Sequence, residues 1–457
     1  MQLGVLLNRV FRTKHNPLFS YVEQNRSKID ACYFIIPLED LKGASERKKA
    51  FYFGTVNQFL TELAKYEIRP FLVTYEKLPE FCQKQKIDTI LMAGDIMSYH
   101  QEEYDIRHQR EKLTAAGLEI KTIRVQHYFH PRATFKNGDE PYKVFTPFYK
   151  ANRPHVTIQK PAAYSLKQLS EITVTGTGHL DHSYPDDGLS EEQAVANWQT
   201  FLNESIEAYE TNREVLAEIK TSWLSVYLAY GLIDIQQIFN QLLDQREANE
   251  KNYEAFIREL LFREFYYVLM VTYPEMATQS FKPNYRQIEW SLNKANFERW
   301  KNGETGYPIV DAAMQELNQT GYMHNRMRMV VSQFLTKDLF IDWRWGEDYF
   351  RSQLIDYDNA SNVNGWQWSA STGTDAVPYF RMFNPIRQSE RFDQDGAYIK
   401  QYLPIFKAVP AAYLHDTEKN KAKLAAECDI ELGKTYPAPI VDHKQSRQAI
   451  MEKLGRR

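Results

Sequence analysis

Two acids and two amides crowd one short segment, QLIDYDNASN, as Asp356, Asp358, Asn359 and Asn362. Such a group is either solvated turn chemistry or a set of acceptors and donors for a polar heterocycle. A metal pair is a third reading, but no histidine or further acidic cluster stands at ligand spacing. The next stretch, NGWQWSASTGTDAVPYFRMFNP at 364–385, sets Trp366 and Trp368 at alternate positions. Its glycines and serines predict a loop, and loops of this kind carry sites.

Two further segments have chemistry of their own. HNRMRMVVSQF places Arg326 and Arg328 beside His324 and Asn325 at the start of an amphipathic run. The arginines either pair with the aspartates or meet phosphate, while a lone His324 reads as a satisfied structural histidine. KTSWLSVYLAYG brings Thr221, Ser222 and Ser225 to the head of an apolar helical stretch. One hydroxyl there is an N-cap. Three hydroxyls also make a phosphate cradle at a helix N-terminus.

These segments need a scaffold, and the chain changes grammar along its length. Short β-rich runs at 3–7, 31–37, 69–75, 88–94 and 119–125 alternate with amphipathic stretches, which predicts an α/β domain over 1–130 built on a parallel, Rossmann-like sheet. Neither GxGxxG nor GxxxxGK[ST] occurs, so no dinucleotide or nucleoside triphosphate announces itself there. Residues 131–190 are polar and rich in proline, and read as a linker wrapped on the surface. From 191 to 457 the pattern is helical, opening with Ser190 ahead of glutamates as a capping signal. All eight tryptophans lie in this helical part.

Composition excludes some classes. At 457 residues two packed units are expected. A net charge of −3 gives no global pull toward nucleic acid, so a DNA role needs a local basic surface. Cys32, Cys82 and Cys428 are odd in number and far apart, as for reduced thiols. No leader-like segment and no run of about 20 apolar residues is present. A soluble, cytoplasmic, monomeric protein with no membrane association is expected.

Taken together, TSWLSVYLAYG, RELLFREFYY, NGETGYPIVDAAMQELNQTGYMHNRMRM, the run FLTKDLFIDWRWGEDYFRSQLIDYDNASNVNGWQWSASTGTDAVPYFRMFNP, and PYKVFTPFYKA in the linker resemble the photolyase/cryptochrome family, above all its bacterial class I cyclobutane pyrimidine dimer photolyases. The resemblance implies a helical domain that binds FAD, and light-driven electron transfer from reduced flavin to a lesion flipped out of UV-damaged DNA. By motif position it assigns flavin contacts to Tyr209, Thr221, Ser222, Leu224, Ser225, Phe256, Arg328, Asp356, Tyr357, Asp358 and Asn362, with Arg328 pairing Asp356 and Asn362 near flavin N5. It assigns the lesion to Glu259, Asn325 and Met329, with Trp368 and Phe262 as aromatic walls. Arg213, Arg263, Arg326, Arg381 and Gln388 fall at contacts to the damaged strand. Trp366, Trp343 and Trp290 fall at an electron relay, which suits the easily oxidised indole.

The match departs in places. Phe262 and Phe256 stand where many class I enzymes have tryptophan, so stacking weakens without vanishing. LNRVFRTKHNPLF replaces a Trp-Phe-Arg-x-Asp-Leu-Arg run, and YDIRHQREKL shows Arg107 and His108 in place of the Asn-Glu pair tied to a folate antenna. The second chromophore is left open among a deazaflavin, a flavin mononucleotide, a lumazine and none. Two other readings compete with repair: a cryptochrome-type blue-light sensor, and a helical redox flavoprotein with no DNA role. Asn325 beside His324, where (6-4) enzymes show adjacent histidines, counts against that lesion class.

Overall fold

The computed structural model describes residues 1–96, 106–178, 180, 187–218, 220–246 and 249–455. Tyr104 and Asp105 of the antenna segment, and Pro185 of the linker, lie outside these residues.

The five apolar runs form five strands: β1 (Gln2–Leu6), β2 (Ala31–Leu38), β3 (Phe71–Thr74), β4 (Thr89–Ala93) and β5 (Glu119–Ile123). They pair in parallel in the order β3-β2-β1-β4-β5. Parallel neighbours need crossovers, and the helices Pro17–Gln24, Glu46–Ala64, Leu78–Lys84 and Ile106–Ala115 lie between successive strands. β4 is buried at every residue and β2 along its middle, so both read as unbroken apolar runs, whereas edge strand β5 carries exposed Glu119 and Thr122. Local chemistry sets the helix starts. Asn16 Oδ1 accepts the Leu18 N–H at 3.0 Å ahead of Pro17, and Ser45 Oγ accepts that of Lys48 at 3.2 Å.

The chain divides into two compact units. The first comprises 1–209, 222–274 and 355–360; the second comprises 210–221, 275–354 and 361–457. The first unit therefore holds the sheet together with the helices Glu191–Glu204, Leu224–Ala229, Ile235–Gln245 and Glu250–Thr272. Ser190 does cap its helix, in a reciprocal box with Gln193.

The 131–190 segment is not merely wrapped on the surface. Its helix Phe145–Asn152 buries Phe145 and Phe148, and Phe145 stacks on Phe262 of the Glu250–Thr272 helix with centroids 3.3 Å apart. Aromatic burial overrides the polar, proline-rich composition that reads as linker.

The second unit is helical. Its main elements are Lys294–Lys301, Pro308–Thr320, Asn325–Gln333 with a π-helical turn at Phe334–Asp338, Trp343–Gln353, the 361–369 part of Asn359–Ser369, Pro385–Phe392 and His443–Leu454. The NGETGYPIVDAAM motif is a structural knot. Buried Asp311 accepts from Thr305 N and Oγ1, Gly306 N and Tyr436 OH, between 2.5 and 3.0 Å. The C-terminal helix is fastened by His443 Nδ1 on Asp338 Oδ1 at 2.6 Å.

One sequence expectation fails here. Trp366 and Trp368 stand not in a loop but in the last turn of the Asn359–Ser369 helix. Ala360, Val363 and Trp366, three apart, bury one face, and that burial outweighs the Gly and Ser content.

Candidate functional site

The hydroxyl-bearing segment is more strained than its sequence suggests. The helix Leu224–Ala229 begins after Trp223, whose φ of +53° is left-handed and whose side chain caps nothing. Ser222 Oγ accepts the Leu224 N–H at 3.3 Å, so the capping hydroxyl sits one residue earlier than a regular N-cap. Ser225 is exposed. Thr221 Oγ1 is buried with no hydrogen-bond partner among the described residues. An unsatisfied buried hydroxyl costs about 1–3 kcal/mol, a cost that a bound acceptor or donor removes.

In the first unit, the Glu250–Thr272 helix organises several predicted residues. Phe256, Glu259 and Arg263 follow at helical spacing and share a face. Phe256 is buried against Tyr209, with ring centroids 5.0 Å apart, and against Trp198 and Phe201. Tyr209 and Phe256 are thus brought together.

Arg263, which the resemblance assigns to the damaged strand, makes contacts within the first unit. It donates to the Gln126 carbonyl at 2.9 Å and stands 3.6 Å from buried Glu264 and 3.9 Å from Asp358. Its inward turn follows from Glu264, which is fully buried and needs positive charge beside it. The partners His127 and Arg263 hold the Glu264 carboxyl below its usual range against the opposing effect of burial. In the acid and amide segment, Asn359 Nδ2 donates to Tyr357 OH at 2.9 Å, and Lys48 stands over the Tyr357 ring. Asn359 Oδ1 is a second buried polar atom with no hydrogen-bond partner among the described residues.

In the second unit, the Asn325–Gln333 helix carries exposed Asn325 and half-buried Met329 one turn apart. Ser332 Oγ meets Ser369 Oγ at 2.7 Å, which fixes this helix beside the one bearing Trp366 and Trp368. His324 caps the helix through its ring: Nδ1 accepts the Arg326 N–H at 3.1 Å. Burial pushes its pKa down to about 4. The ring is therefore neutral and carries its proton on Nε2.

Arg326 grips Glu214 through two nitrogens, the shorter contacts being 2.7 Å, and its guanidinium lies over Phe392. Arg328 Nε donates to the Met323 carbonyl at 2.8 Å. Asp356, its expected partner, belongs to the first unit. Arg381 is exposed, Gln388 is half-buried on the Pro385–Phe392 helix, and Arg213 lies beside Glu214.

Asn362 donates through Nδ2 to Glu347 Oε1 at 2.9 Å. Glu347, buried on the Trp343–Gln353 helix, was not singled out in the sequence. Its only sequence signal is its place on the buried face of that helix with Trp343, Gly346 and Phe350. Trp366 and Trp343 are buried while Trp290 is half-buried against Phe340. Trp366 also meets Trp300 edge-on, with centroids 6.1 Å apart, a neighbour that spacing alone does not pick out.

The first unit carries a parallel α/β sheet, and the second is helical and buries the indoles of Trp300, Trp343 and Trp366. The chain belongs to the photolyase/cryptochrome family: the profile described as "FAD binding domain of DNA photolyase" matches 256–456, and that described as "DNA photolyase" matches 4–167. It is 34% identical to the deoxyribodipyrimidine photo-lyase of Salmonella typhimurium over 93% of this chain and 92% of that one. It is 36% identical to the Escherichia coli K12 enzyme of the same name over 83% and 81%.

Among solved structures, a class III photolyase from Agrobacterium tumefaciens superposes with a TM-score of 0.81 at 29% identity, covering 100% of this chain and 97% of that one. A Synechocystis cryptochrome superposes with a TM-score of 0.86 at 25% identity, covering 99% of each. An archaeal photolyase from Sulfolobus tokodaii, described with two FAD molecules, gives 0.77 at 27% identity and full coverage of both chains. The cofactor is FAD, and the buried Thr221 hydroxyl, without a partner among the described residues, is a donor that suits a phosphate oxygen. Among the described residues, no helix is long and apolar enough to cross a membrane.

Proposed function

We propose that this protein repairs cyclobutane pyrimidine dimers in UV-damaged DNA under blue light. The observation that carries the reading is the near full-length match to deoxyribodipyrimidine photo-lyases, in a chain whose residue 362 is an amide fixed by a buried carboxylate. When bound, reduced FAD supplies the electron that opens the cyclobutane ring and accepts it again afterwards.

The chain's own residues bind and orient. Thr221, Ser222, Leu224 and Ser225, with Tyr209, hold the cofactor's phosphates and ribityl chain, and Phe256 packs behind Tyr209. Asp356, Tyr357, Asp358 and Arg328 meet its polar edges. Asn362 presents its carbonyl oxygen to the N5–H of the reduced ring, because its nitrogen is committed to Glu347. Glu259, Asn325 and Met329 take the flipped bases, with Trp368 and Phe262 as walls. Arg213, Arg326, Arg381 and Gln388 hold the strand without reading its sequence. Arg263 is a further contact to the strand and also steadies Asp358 and the Gln126 carbonyl. Trp366, Trp343 and Trp290 carry electrons inward when the flavin must be reduced. The protein works as a monomer in the cytoplasm, a reducing compartment that suits its three free thiols.

Blue illumination of the reduced, flavin-loaded protein with dimer-containing DNA tests this directly. Restored thymine absorbance is the expected result. A flavin that cycles under light while the dimers persist refutes repair and leaves the sensor reading, since a cryptochrome shares this fold.

A further inference from the structure

Arg381 lies in the stretch 376–384, which has no helix or strand, yet two contacts hold its main chain from one side. Lys337 Nζ donates to the Arg381 carbonyl at 3.1 Å, and Gln333 Oε1 accepts the Phe383 N–H at 3.0 Å. Gln333 and Lys337 are four residues apart at the junction of the Asn325–Gln333 helix and its π-helical turn. Their side chains therefore leave one face together. Between the two contacts, Met382 packs against the apolar cluster of Ile288, Phe340, Ile450 and Leu454. The stretch 381–383 is thus held through the backbone of its first and last residues and the side chain of Met382, while the Arg381 side chain remains exposed.

Holding a loop this way is costly. Lys337 is 2% exposed and Gln333 1%. Burial pushes the Lys337 ammonium down to about 7, opposed by Asp338, whose own carboxylate is taken up by His443. A buried ammonium bonded to one carbonyl is poorly compensated, and an apolar side chain of similar volume is often neutral or stabilising in its place. Fold stability alone gives no reason for a lysine here.

We propose that Gln333 and Lys337 form a clasp that positions Arg381 for the damaged strand, so that the helix presenting Asn325 and Met329 also sets the register of the phosphate-binding loop. The proposal rests on the reading of Arg381 as a strand contact. Both residues of the clasp are positioning residues.

The test uses the full-length, flavin-loaded protein and dimer-containing duplex, with binding measured across a salt series. Arg381→Ala is the reference and should weaken binding and flatten the salt slope by about one unit. Lys337→Met and Gln333→Leu should each reproduce most of that loss and add little on the Arg381→Ala background. Lys337→Met should also melt at the same temperature as the parent or higher. A merely structural lysine would not combine kept stability with lost DNA affinity. Two outcomes overturn the clasp differently. If Arg381→Ala leaves binding unchanged, the strand-contact reading fails and the clasp with it. If Arg381→Ala weakens binding while both clasp variants bind as the parent does, the clasp alone is wrong. Should Lys337→Met fail to fold, Gln333→Leu decides by the same comparison.

Discussion

The side-chain nitrogen of Asn362 lies 2.9 Å from Glu347 Oε1, and this contact decides which end of the amide remains for a ligand. A carboxylate accepts and does not donate, so Asn362 must turn its NH2 group toward Glu347 and its carbonyl oxygen away. Glu347→Gln removes that constraint and lets the amide flip. Asn362→Asp sets two carboxyls face to face, so that one must take up a proton. Either change should cost one oriented hydrogen bond, a roughly tenfold effect. The expected outcome is faster dark oxidation of the reduced flavin and a lower repair yield per photon. Parent-like values for both in both variants would reject the orientation argument.

His324 makes stability depend on pH in a defined window. Its pKa in the folded state is about 4, lowered by burial from the ordinary 6.5. Between these values the unfolded chain binds a proton that the folded chain does not, so stability is full above about 6.5 and falls as the pH drops toward 4. The shift corresponds to a loss on the order of 3 kcal/mol across the window. His324→Asn keeps an acceptor for the Arg326 N–H and has no proton to gain. Urea midpoints of the two proteins should therefore be similar at pH 7.5 and should diverge in favour of the variant at pH 5. Parallel curves would show that His324 does not titrate on unfolding.

Arg326 is already neutralised by Glu214, so a phosphate must compete for it. Glu214→Gln should release the guanidinium, tighten binding to damaged and undamaged duplex alike by roughly three- to tenfold, and steepen the salt slope by about one unit. Isothermal titration at several salt concentrations measures both. Weaker binding would mean instead that Glu214 holds Arg326 in its productive place.

The sheet was legible because its strands are buried runs bounded by turns, a local signal, and Ser190 with Gln193 was legible for the same reason. Partnerships across long separations were not. Asn362 with Glu347, Arg326 with Glu214, Gln333 with Phe383 and Phe145 with Phe262 are each set by tertiary packing that no spacing rule encodes. The loop expected around Trp366 failed on composition. Gly365 and the flanking Ser and Asn residues suggest a turn, but they occupy a helix in which Asn364 and Ser369 are buried along with Val363 and Trp366. The contacts of Arg263 with the Gln126 carbonyl and buried Glu264 were equally illegible from its motif position.

Trp366 is confined by a glycine. A Cβ on Gly346 would stand 2.1 Å from Trp366 Cη2 and 2.7 Å from Leu335 Cδ2. Gly346→Ala should therefore displace the indole and destabilise the protein by about 1–3 kcal/mol, despite alanine's better helix propensity. Trp366→Phe should slow photoreduction of oxidised flavin while sparing repair by enzyme reduced beforehand. Transient absorption separates the two activities. Photoreduction at the parental rate in Trp366→Phe would remove this indole from the relay.

Phe262 has one ring face covered by Phe145, with an interplanar angle of 11°, and the Arg258 guanidinium lies 4.8 Å from the Phe145 centroid and 5.8 Å from that of Phe262. A benzyl ring offers less area than an indole, so its contribution as a wall depends on being held still. The stack and the cation provide that restraint, each worth on the order of 1 kcal/mol beyond burial. Phe145→Leu keeps much of the apolar volume and removes the flat partner, so the protein should fold, with a loss of about 1–3 kcal/mol. The restraint matters more for a lesion than for ordinary duplex, because only a flipped base reaches the wall. Phe145→Leu should therefore lower the ratio of damaged to undamaged affinity severalfold while leaving the undamaged value in place. Competition binding with matched duplexes reads that ratio, and an unchanged ratio would show that Phe262 needs no backing from Phe145.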